Sequence, residues 1–325
     1  MSCFEPNYMR CVVDPSNGQL VYRFMGSAKL VDPSKFPTIS DLPDKGYYEF
    51  LIPCGKCAGC RLDYSKSWSD RMTIELQDNP KAIFVTLTYR NADLPRGDCG
   101  LPSLRVSDLQ RFFKRLRKKF SDRRIRYYCA GEYGPRTHRP HYHGIIYGLS
   151  LSDFDDLKCF GANELKQPYY TSPSFEAIWS HGFVQLSDVT YQTCAYVSRY
   201  CLKKQRHEYY QQYGVEPEFN VSSRRPGIGM LHAVDMVDSG HTEFTFDGRD
   251  GVHTIRLPRA FIRHAKDAGS AAAANLSIER SLHASDYIKG KLALTNQSFY
   301  DYLLSNQRKL YNALKLFPER EPDRQ

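Results

Sequence analysis

The sequence lacks the long apolar runs of membrane proteins, since no stretch approaches the roughly 18–20 consecutive apolar residues that a transmembrane helix needs. Residues 1–8 also lack the basic segment and apolar core of a secretory signal. No internal repeat is present, which argues against a solenoid or other repeat architecture. From these absences we expect a protein of the cytoplasm that does not span a bilayer.

With 325 residues, of which 41% are hydrophobic and 25% charged, the chain has the composition of a globular protein. β-Branched and aromatic runs predict strands at residues 82–88, 126–132, 141–147 and 183–186. Apolar residues at helical spacing predict helices at residues 61–77, 109–120, 175–180, 190–204 and 294–317. A hairpin is expected around residues 247–251, and short strands and loops before residue 60. Because strands alternate with helices, we predict an α+β fold in which a sheet packs against helices.

Ten cysteines in a chain of this length, without a secretory signal, favour metal ligands or reduced thiols over a disulfide framework. Cys54, Cys57 and Cys60 are spaced so that three thiolates can converge on one ion, with Cys3 as the first candidate for the fourth ligand and Cys11 as the second. The bacterial ferredoxin pattern requires a further Cys-Pro pair where this chain has Tyr-Ser, which disfavours an iron–sulfur cluster. We predict a structural zinc knuckle, and the alternative is a group of free thiols.

Positive charge exceeds negative charge by nine, and basic residues are concentrated between residues 111 and 126. Ser107 and Gln110 have the spacing of a capping box, which predicts that a helix opens there. One face of this helix is apolar and the other is basic, with few acidic partners. A solvated surface is one reading of that face. We favour a surface that binds DNA phosphates, through Arg111, Lys114, Arg115 and Lys118. The 23 tyrosines of the chain also suit single-stranded nucleic acid, whose bases can stack on aromatic rings.

The segment His141-Tyr142-His143 places two imidazoles on one face of a predicted strand, because alternate side chains of a strand share a face. Glu132 ends the preceding predicted strand and would lie opposite the pair. Two histidines and a carboxylate leave coordination positions open, as in catalytic metal sites. The alternative is that these histidines simply face solvent.

Tyr196 and Tyr200 lie one helical turn apart, so their hydroxyls share a face, and Lys203 and Lys204 follow three and four residues later. A phenol is a poor nucleophile at neutral pH unless a cation favours the phenolate. A phosphodiester is the electrophile that these groups suit, since a metal and a lysine would neutralise its charge. The alternative is that both tyrosines only pack at the edge of the core.

In motif order the chain resembles the HUH endonuclease superfamily, and in detail it is similar to the replication initiators of gokushoviruses, a branch of the single-stranded-DNA microviruses. The hydrophobic middle residue of the HUH motif is here Tyr142. The resemblance covers roughly residues 50–230, and its matching pieces are Trp68, Arg71 and residues 53–61, 84–89, 139–144, 182–184, 196–204 and 223–229.

The resemblance implies an antiparallel, HUH-type sheet flanked by helices (residues 76–205), preceded by a Cys-rich, metal-stapled segment (residues 1–75) and followed by an extension of unknown role (residues 206–325). It implies rolling-circle initiation: a tyrosine nicks single-stranded origin DNA, leaving a 5′-phosphotyrosine and a free 3′-hydroxyl, and strand joining follows. By analogy Glu132 completes a Mg²⁺ or Mn²⁺ site with His141 and His143. The expected location is the cytoplasm of the bacterial host, with a host helicase and replication proteins as partners.

Two other functions fit parts of the pattern. A non-catalytic zinc-knuckle protein could bind nucleic acid with its histidines and tyrosines in structural roles. A hydrolase could use the His-His-Glu metal to activate water instead of a tyrosine. The sequence does not show which tyrosine starts the reaction.

Overall fold

The computed structural model describes residues 3–134, 137–163, 166–200, 207–248 and 251–315. The strands are β1 (Asn7–Val13), β2 (Leu20–Ser27), β3 (Tyr47–Ile52), β4 (Ala82–Thr88), β5 (Arg126–Tyr133), β6 (Pro140–Tyr147), β7 (Lys158–Ala162), β8 (Pro168–Thr171), β9 (Val184–Asp188), β10 (Phe219–Ser222), β11 (Glu243–Gly248) and β12 (Gly251–Arg256). The α-helices are α1 (Leu42–Lys45), α2 (Ala58–Asp78), α3 (Val106–Lys119), α4 (Pro173–Trp179), α5 (Tyr191–Arg199), α6 (His207–Tyr213), α7 (Ala233–Asp238), α8 (Arg259–Asp267), α9 (Ala271–Ala293) and α10 (Phe299–Lys315). None of the helices in these ranges is both long and apolar enough to cross a membrane.

Contacts within the chain divide it into two compact units. Within the described ranges, the first unit contains residues 3–64, 234–241 and 259–315, and the second contains residues 65–233 and 242–258. The chain therefore does not follow the predicted order of three consecutive segments. Instead, α8, α9 and α10 belong to the same unit as the N-terminal strands.

The second unit is built on a seven-stranded sheet with the order β10-β5-β6-β4-β9-β8-β7. Every neighbouring pair in it is antiparallel. The predicted strands at 82–88, 126–132, 141–147 and 183–186 all lie in this sheet. A separate hairpin of β11 and β12 confirms the turn expected around residues 247–251.

Helices cover both faces of this sheet. On one face, α3 and α4 bury an apolar layer that includes Leu87, Phe112 and Trp179. On the other face, Met72 of α2 and Val197 of α5 belong to a second buried layer. The predicted α+β architecture, an antiparallel sheet flanked by helices, is confirmed.

The start of α3 differs from the prediction. The helix begins at Val106 with Arg105 as its N-cap, and no side chain of the N-cap bonds the helix, so the predicted capping box is wrong. The Val106 amide instead donates to the Glu216 carboxylate at 2.9 Å, and the Arg105 guanidinium pairs with the same carboxylate at 3.2 Å. A carboxylate distant in sequence thus satisfies this helix terminus and complements its dipole.

The first unit contains a three-stranded antiparallel sheet with the order β2-β1-β3. Ala28, Ile288, Phe299 and Leu303 form a buried cluster in this unit. The C-terminal helix begins at Phe299 and not at residue 294, and the 23-residue helix α9 was not predicted.

Candidate active site and metal centre

The two predicted histidine ligands lie in the middle of the seven-stranded sheet. In the register of β4, β5 and β6, His143 lies opposite Thr86 on one side and Ala130 on the other. His141 lies opposite Glu132, as the sequence predicted. Because side chains alternate along a strand, these groups share the sheet face that α2 and α5 cover.

His143 is held at both ring nitrogens. Its Nε2 lies 3.0 Å from Oε1 of Glu132, and its Nδ1 lies 3.0 Å from Oγ1 of Thr86. His143 and Glu132 are both buried. Thr86 was not predicted as a member of the site, because its contact depends on the register between β4 and β6.

His141 has a different environment. Its Nδ1 is buried and has no hydrogen-bond partner among the described residues. Burial lowers the pKa of His141, and the neighbouring His143 lowers it further. The ring is therefore neutral at physiological pH, which is the form that binds metals.

The three predicted ligands do not yet converge. The rings of His141 and His143 are nearly parallel, with centroids 6.3 Å apart. Within the described ranges, the four-cysteine cluster considered below is the only group of three or more candidate ligands whose ligand atoms all lie within 4.8 Å of one another. Binding one ion between Glu132 and both histidines would thus require a side-chain movement. The unpartnered Nδ1 and the N,N,O donor set nonetheless suit a transition-metal ion.

Helix α5 places the two predicted nucleophiles over this face. Thr190 caps the helix, its hydroxyl accepting a hydrogen bond from the Thr193 amide at 3.2 Å. The Tyr200 ring stacks on His143 at a centroid distance of 4.5 Å, and the Tyr196 ring meets His143 edge-on at 5.7 Å. The structure therefore brings both tyrosines to His143 and, through it, to Glu132.

The two tyrosines are not equivalent. Tyr196 is 39% exposed, whereas Tyr200 is 6% exposed. Burial raises the pKa of Tyr200 above its ordinary value, and the negative charge of Glu132 adds to this effect. Tyr200 is consequently a neutral phenol in this arrangement.

The cations predicted to assist the tyrosines, Lys203 and Lys204, lie outside the described residues. A different cation is near the site: the Arg199 guanidinium carbon lies 5.7 Å from the centroid of the Tyr196 ring. Its place, three residues after Tyr196 on the same helix, was a signal in the sequence that the prediction did not use.

The basic residues predicted to bind DNA lie on α3, which packs on the opposite face of the sheet from His143. Arg115 donates to the carbonyl oxygens of Ile178 and Trp179, both at 2.7 Å, and Arg111 pairs with Asp108. Arg115 thus bonds the end of α4. The other two predicted contacts with DNA, Lys114 and Lys118, are exposed.

Comparison with known proteins identifies the family. A family model for replication-associated proteins of the ORF2 type matches residues 82–205. The replication-associated protein ORF2 of Spiroplasma virus 4 is 30% identical over 285 residues, which are 81% of this chain and 83% of that protein. The chain belongs to this family. The resemblance to the gokushovirus replication proteins is thereby confirmed.

Two further members of the replication-associated family are similar over shorter spans. The replication-associated protein VP4 of Bdellovibrio phage phiMH2K is 34% identical over 182 residues, covering 54% of this chain and 55% of that protein. The replication-associated protein ORF4 of Chlamydia phage 1 is 28% identical over 205 residues, covering 62% and 50%. No solved structure matches the chain. The segment matched by the family model contains both histidines, Glu132 and both tyrosines, whereas the cysteine cluster lies outside it.

Residues 223–229, a segment through which the family resemblance was drawn, form a loop fastened to the sheet. The buried Arg126 guanidinium pairs with the buried Glu75 carboxylate and donates to the carbonyl oxygens of Pro226 and Gly227, both at 3.0 Å. The same carboxylate accepts a hydrogen bond from the Gly229 amide at 2.7 Å. Gly229 has a φ of +67°, and a side chain there would collide with the Arg71 carbonyl oxygen, which explains the glycine.

The cysteine cluster lies in the first unit and can hold a metal. The sulfurs of Cys3, Cys54, Cys57 and Cys60 all lie within 4.8 Å of one another. Two of their separations, Cys54–Cys60 and Cys3–Cys57, are both 3.9 Å. Backbone amides point at these sulfurs, including that of Cys54 toward the Cys3 sulfur at 3.2 Å. Cys3, the first candidate from the sequence, is therefore the fourth member of the cluster.

Proposed function

We propose that this chain is a rolling-circle replication initiator that nicks single-stranded origin DNA by tyrosine attack and then joins the released strand. The observation that carries the proposal is the position of Tyr196 and Tyr200 against His143, whose Nε2 bonds Glu132. Membership in the replication-associated family supports the replication role. HUH chemistry would explain why a histidine pair and a tyrosine pair share one sheet face.

His141, His143 and Glu132 are the residues that we propose to hold Mg²⁺ or Mn²⁺. A divalent cation there would polarise the scissile phosphate and neutralise its charge. His143 would use Nε2 as the ligand atom, because its Nδ1 faces the Thr86 hydroxyl. The neutral state of His141 suits the same role.

The reaction balances without a co-substrate. The tyrosine oxygen forms a bond to phosphorus, and the bond from phosphorus to the 3′ oxygen breaks. The phenol proton is lost and the 3′ oxygen gains one, so the products are a 5′-phosphotyrosine and a 3′-hydroxyl. In the joining step a free 3′-hydroxyl attacks the phosphotyrosine and releases the phenol.

We propose Tyr196 as the nucleophile of the first cut, because its ring is the accessible one and Arg199 lies beside it. A cation near a phenol favours the phenolate. Tyr200, which is buried and has a raised pKa, would act in the second cut after the first tyrosine is occupied. Lys203 and Lys204 remain candidates to assist.

A covalent-adduct assay tests the proposal. Incubated with single-stranded origin DNA and Mn²⁺, the protein should retain labelled DNA on a denaturing gel. The double variant Tyr196→Phe, Tyr200→Phe should retain none, and Tyr191→Phe, on the same helix, should behave as wild type. Cleavage with no adduct in the wild type would favour the hydrolase, and binding with no cleavage would favour the zinc-knuckle protein.

For the cysteine cluster we propose zinc. A tetrahedral Zn²⁺ with bonds of about 2.3 Å to each sulfur places the sulfurs about 3.8 Å apart, close to the 3.9 Å of the pairs Cys54–Cys60 and Cys3–Cys57. With four protein ligands the coordination sphere is closed, so the ion would stabilise the fold and not take part in the chemistry.

A further inference from the structure

A groove in the first unit joins one edge of its small sheet to two C-terminal helices. Its volume is about 410 Å³, and it is lined on one side by β3 and the residues around Pro33 and Phe36, and on the other by α8 and α9. A volume of this order, within roughly 300–1,000 Å³, suits a small ligand or a short piece of a polymer. We call it the α8 groove.

The charges of the α8 groove are mostly of one sign. Arg259, Arg263 and Lys266 of α8 and Arg280 of α9 line it, whereas Glu49 is its only acidic lining residue and already pairs with Arg10. Arg259, Arg263 and Lys266 are exposed and recur at a spacing of four and three residues, so they share one face of α8. Within the described residues, none of these three has a carboxylate partner.

The remaining lining of the α8 groove is apolar and partly aromatic. Phe50 and Ile52 of β3 contribute to it, together with Phe36 and with Ile262 of α8. The Phe50 ring is only half-buried. Cations beside accessible aromatic rings are the combination that binds single strands, because phosphates meet the cations and bases stack on the rings.

We propose that the α8 groove binds a segment of single-stranded DNA, as a contact separate from the site of cleavage. The identity of this ligand rests on the proposed function, which supplies single-stranded DNA as the substrate. A duplex fits less well, since its bases are stacked inside and cannot reach Phe36 or Phe50. An acidic peptide would match the cations but would leave the two rings without a stacking partner.

Binding of a fluorescent single-stranded oligonucleotide, measured by anisotropy against salt concentration, tests the proposal. The background is the double variant Tyr196→Phe, Tyr200→Phe without added Mn²⁺, so that affinity is read without cleavage. The test protein adds Arg259→Gln, Arg263→Gln and Lys266→Gln. The control adds Lys45→Gln, Arg308→Gln and Lys309→Gln, which remove the same charge from exposed positions outside the groove.

Three lost phosphate contacts should lower affinity about 50-fold at 0.15 M salt and reduce the slope of log K against log salt by about 2, since each contact contributes about 0.7 for single strands. The control variant should keep the wild-type slope. Equal slopes and affinities for test and control proteins would overturn the proposal. So would a poly-glutamate peptide that binds the background protein but not the test protein while DNA binding is unchanged.

A second readout addresses the aromatic wall. An oligonucleotide containing 5-iodouracil, irradiated with the background protein, should crosslink to peptides that contain Phe36 or Phe50. Crosslinks confined to other peptides would contradict the groove. Loss of the groove proposal leaves the adduct assay untouched, whereas failure of the adduct assay with intact groove binding would count against the nicking chemistry alone.

Discussion

At the scale of single residues, the hydrogen bond between Thr86 and His143 decides which ring nitrogen can reach a metal. With Nδ1 beside the threonine hydroxyl at 3.0 Å, Nε2 is left to face Glu132. Such a partner fixes both the tautomer and the orientation of a ligating imidazole. Thr86 is thus a positioning residue for the proposed metal site.

Removing this hydroxyl should weaken metal binding. We expect Thr86→Val to lower Mn²⁺ affinity about 10- to 100-fold, the usual loss when the hydrogen-bond partner of a ligating histidine is removed. Thr88→Val is the matched control, because Thr88 is two residues along the same strand and its hydroxyl donates to the Phe183 carbonyl. Titration of each protein with Mn²⁺ by calorimetry checks the prediction, and equal affinities for the two variants would contradict it.

The difference in exposure between the tyrosines makes the order of the two cuts testable. On a DNA that contains one origin, Tyr196→Phe should slow the first cut by at least the ~100-fold expected from losing the nucleophile. Tyr200→Phe should form the first adduct normally but fail to release a closed circle. Rates of adduct and circle formation measure the two steps separately. A normal first cut by Tyr196→Phe together with a failed one by Tyr200→Phe would reverse the order.

Residue patterns predicted part of this site. The two-residue spacing of the histidines and the four-residue spacing of the tyrosines translate directly into shared faces, because strands and helices have fixed periods. Thr86 could not be found in that way, since its contact with His143 joins strands 57 residues apart. The separation of the His141 and His143 rings likewise depends on rotamers that spacing does not determine.

At the scale of secondary-structure elements, the ion pair of Glu75 and Arg126 connects helix α2 to strand β5 and to the loop of residues 223–229. Both side chains are almost fully buried. Each partner left alone would be an unpaired buried charge, so the pair and its hydrogen bonds to the loop form one unit.

Breaking this pair should destabilise the protein strongly. We expect Glu75→Gln to lower the free energy of unfolding by about 3–5 kcal/mol, the cost of leaving a buried charge without its partner. Asp70→Asn on the same helix is the control, because burial already raises the pKa of Asp70 and its partner Lys66 is exposed, so a loss within about 1 kcal/mol is expected. Urea unfolding followed by circular dichroism measures both, and equal losses would contradict the assignment.

Local sequence patterns predicted these elements better than their ends. Apolar spacing located α2, and the β-branched run located β4, to within a few residues. The capping box at Ser107 and Gln110 failed because Glu216, far along the chain, satisfies the start of α3 instead. Patterns within one element do not contain such tertiary contacts.

At the scale of the whole molecule, the cysteine cluster joins residue 3 to the segment of residues 54–60. Metal binding of this kind is coupled to folding, because the ligands come together only in the folded chain. The sequence indicated the three close cysteines directly. The choice of Cys3 over Cys11 became clear only from the structure, in which Cys11 is buried on β1 outside the cluster.

Zinc removal tests this role. We expect one Zn²⁺ per purified chain by elemental analysis, and a clear drop in melting temperature for Cys54→Ser. Cys99→Ser is the control, because Cys99 is exposed and lies outside the cluster, and it should melt as the wild type does. Wild-type protein free of metal with an unchanged melting temperature would contradict a structural zinc site.

The division of the chain into units was also beyond sequence reasoning. Residues 259–315 share a unit with residues 3–64, because Phe299 and Leu303 are buried with Ala28. Contacts between the two ends of a chain leave no signal in local periodicity. The α8 groove, which uses both segments, was missed for the same reason.

The central claim is that a divalent cation and two phenols share one face of the seven-stranded sheet. Anomalous scattering from crystals soaked with Mn²⁺ tests it most directly. We predict a manganese peak bonded to Nε2 of His143, with Glu132 and a reoriented His141 completing the protein ligands, under the ring of Tyr196. A peak elsewhere in a protein that still forms the DNA adduct, or no peak in such a protein, would contradict it.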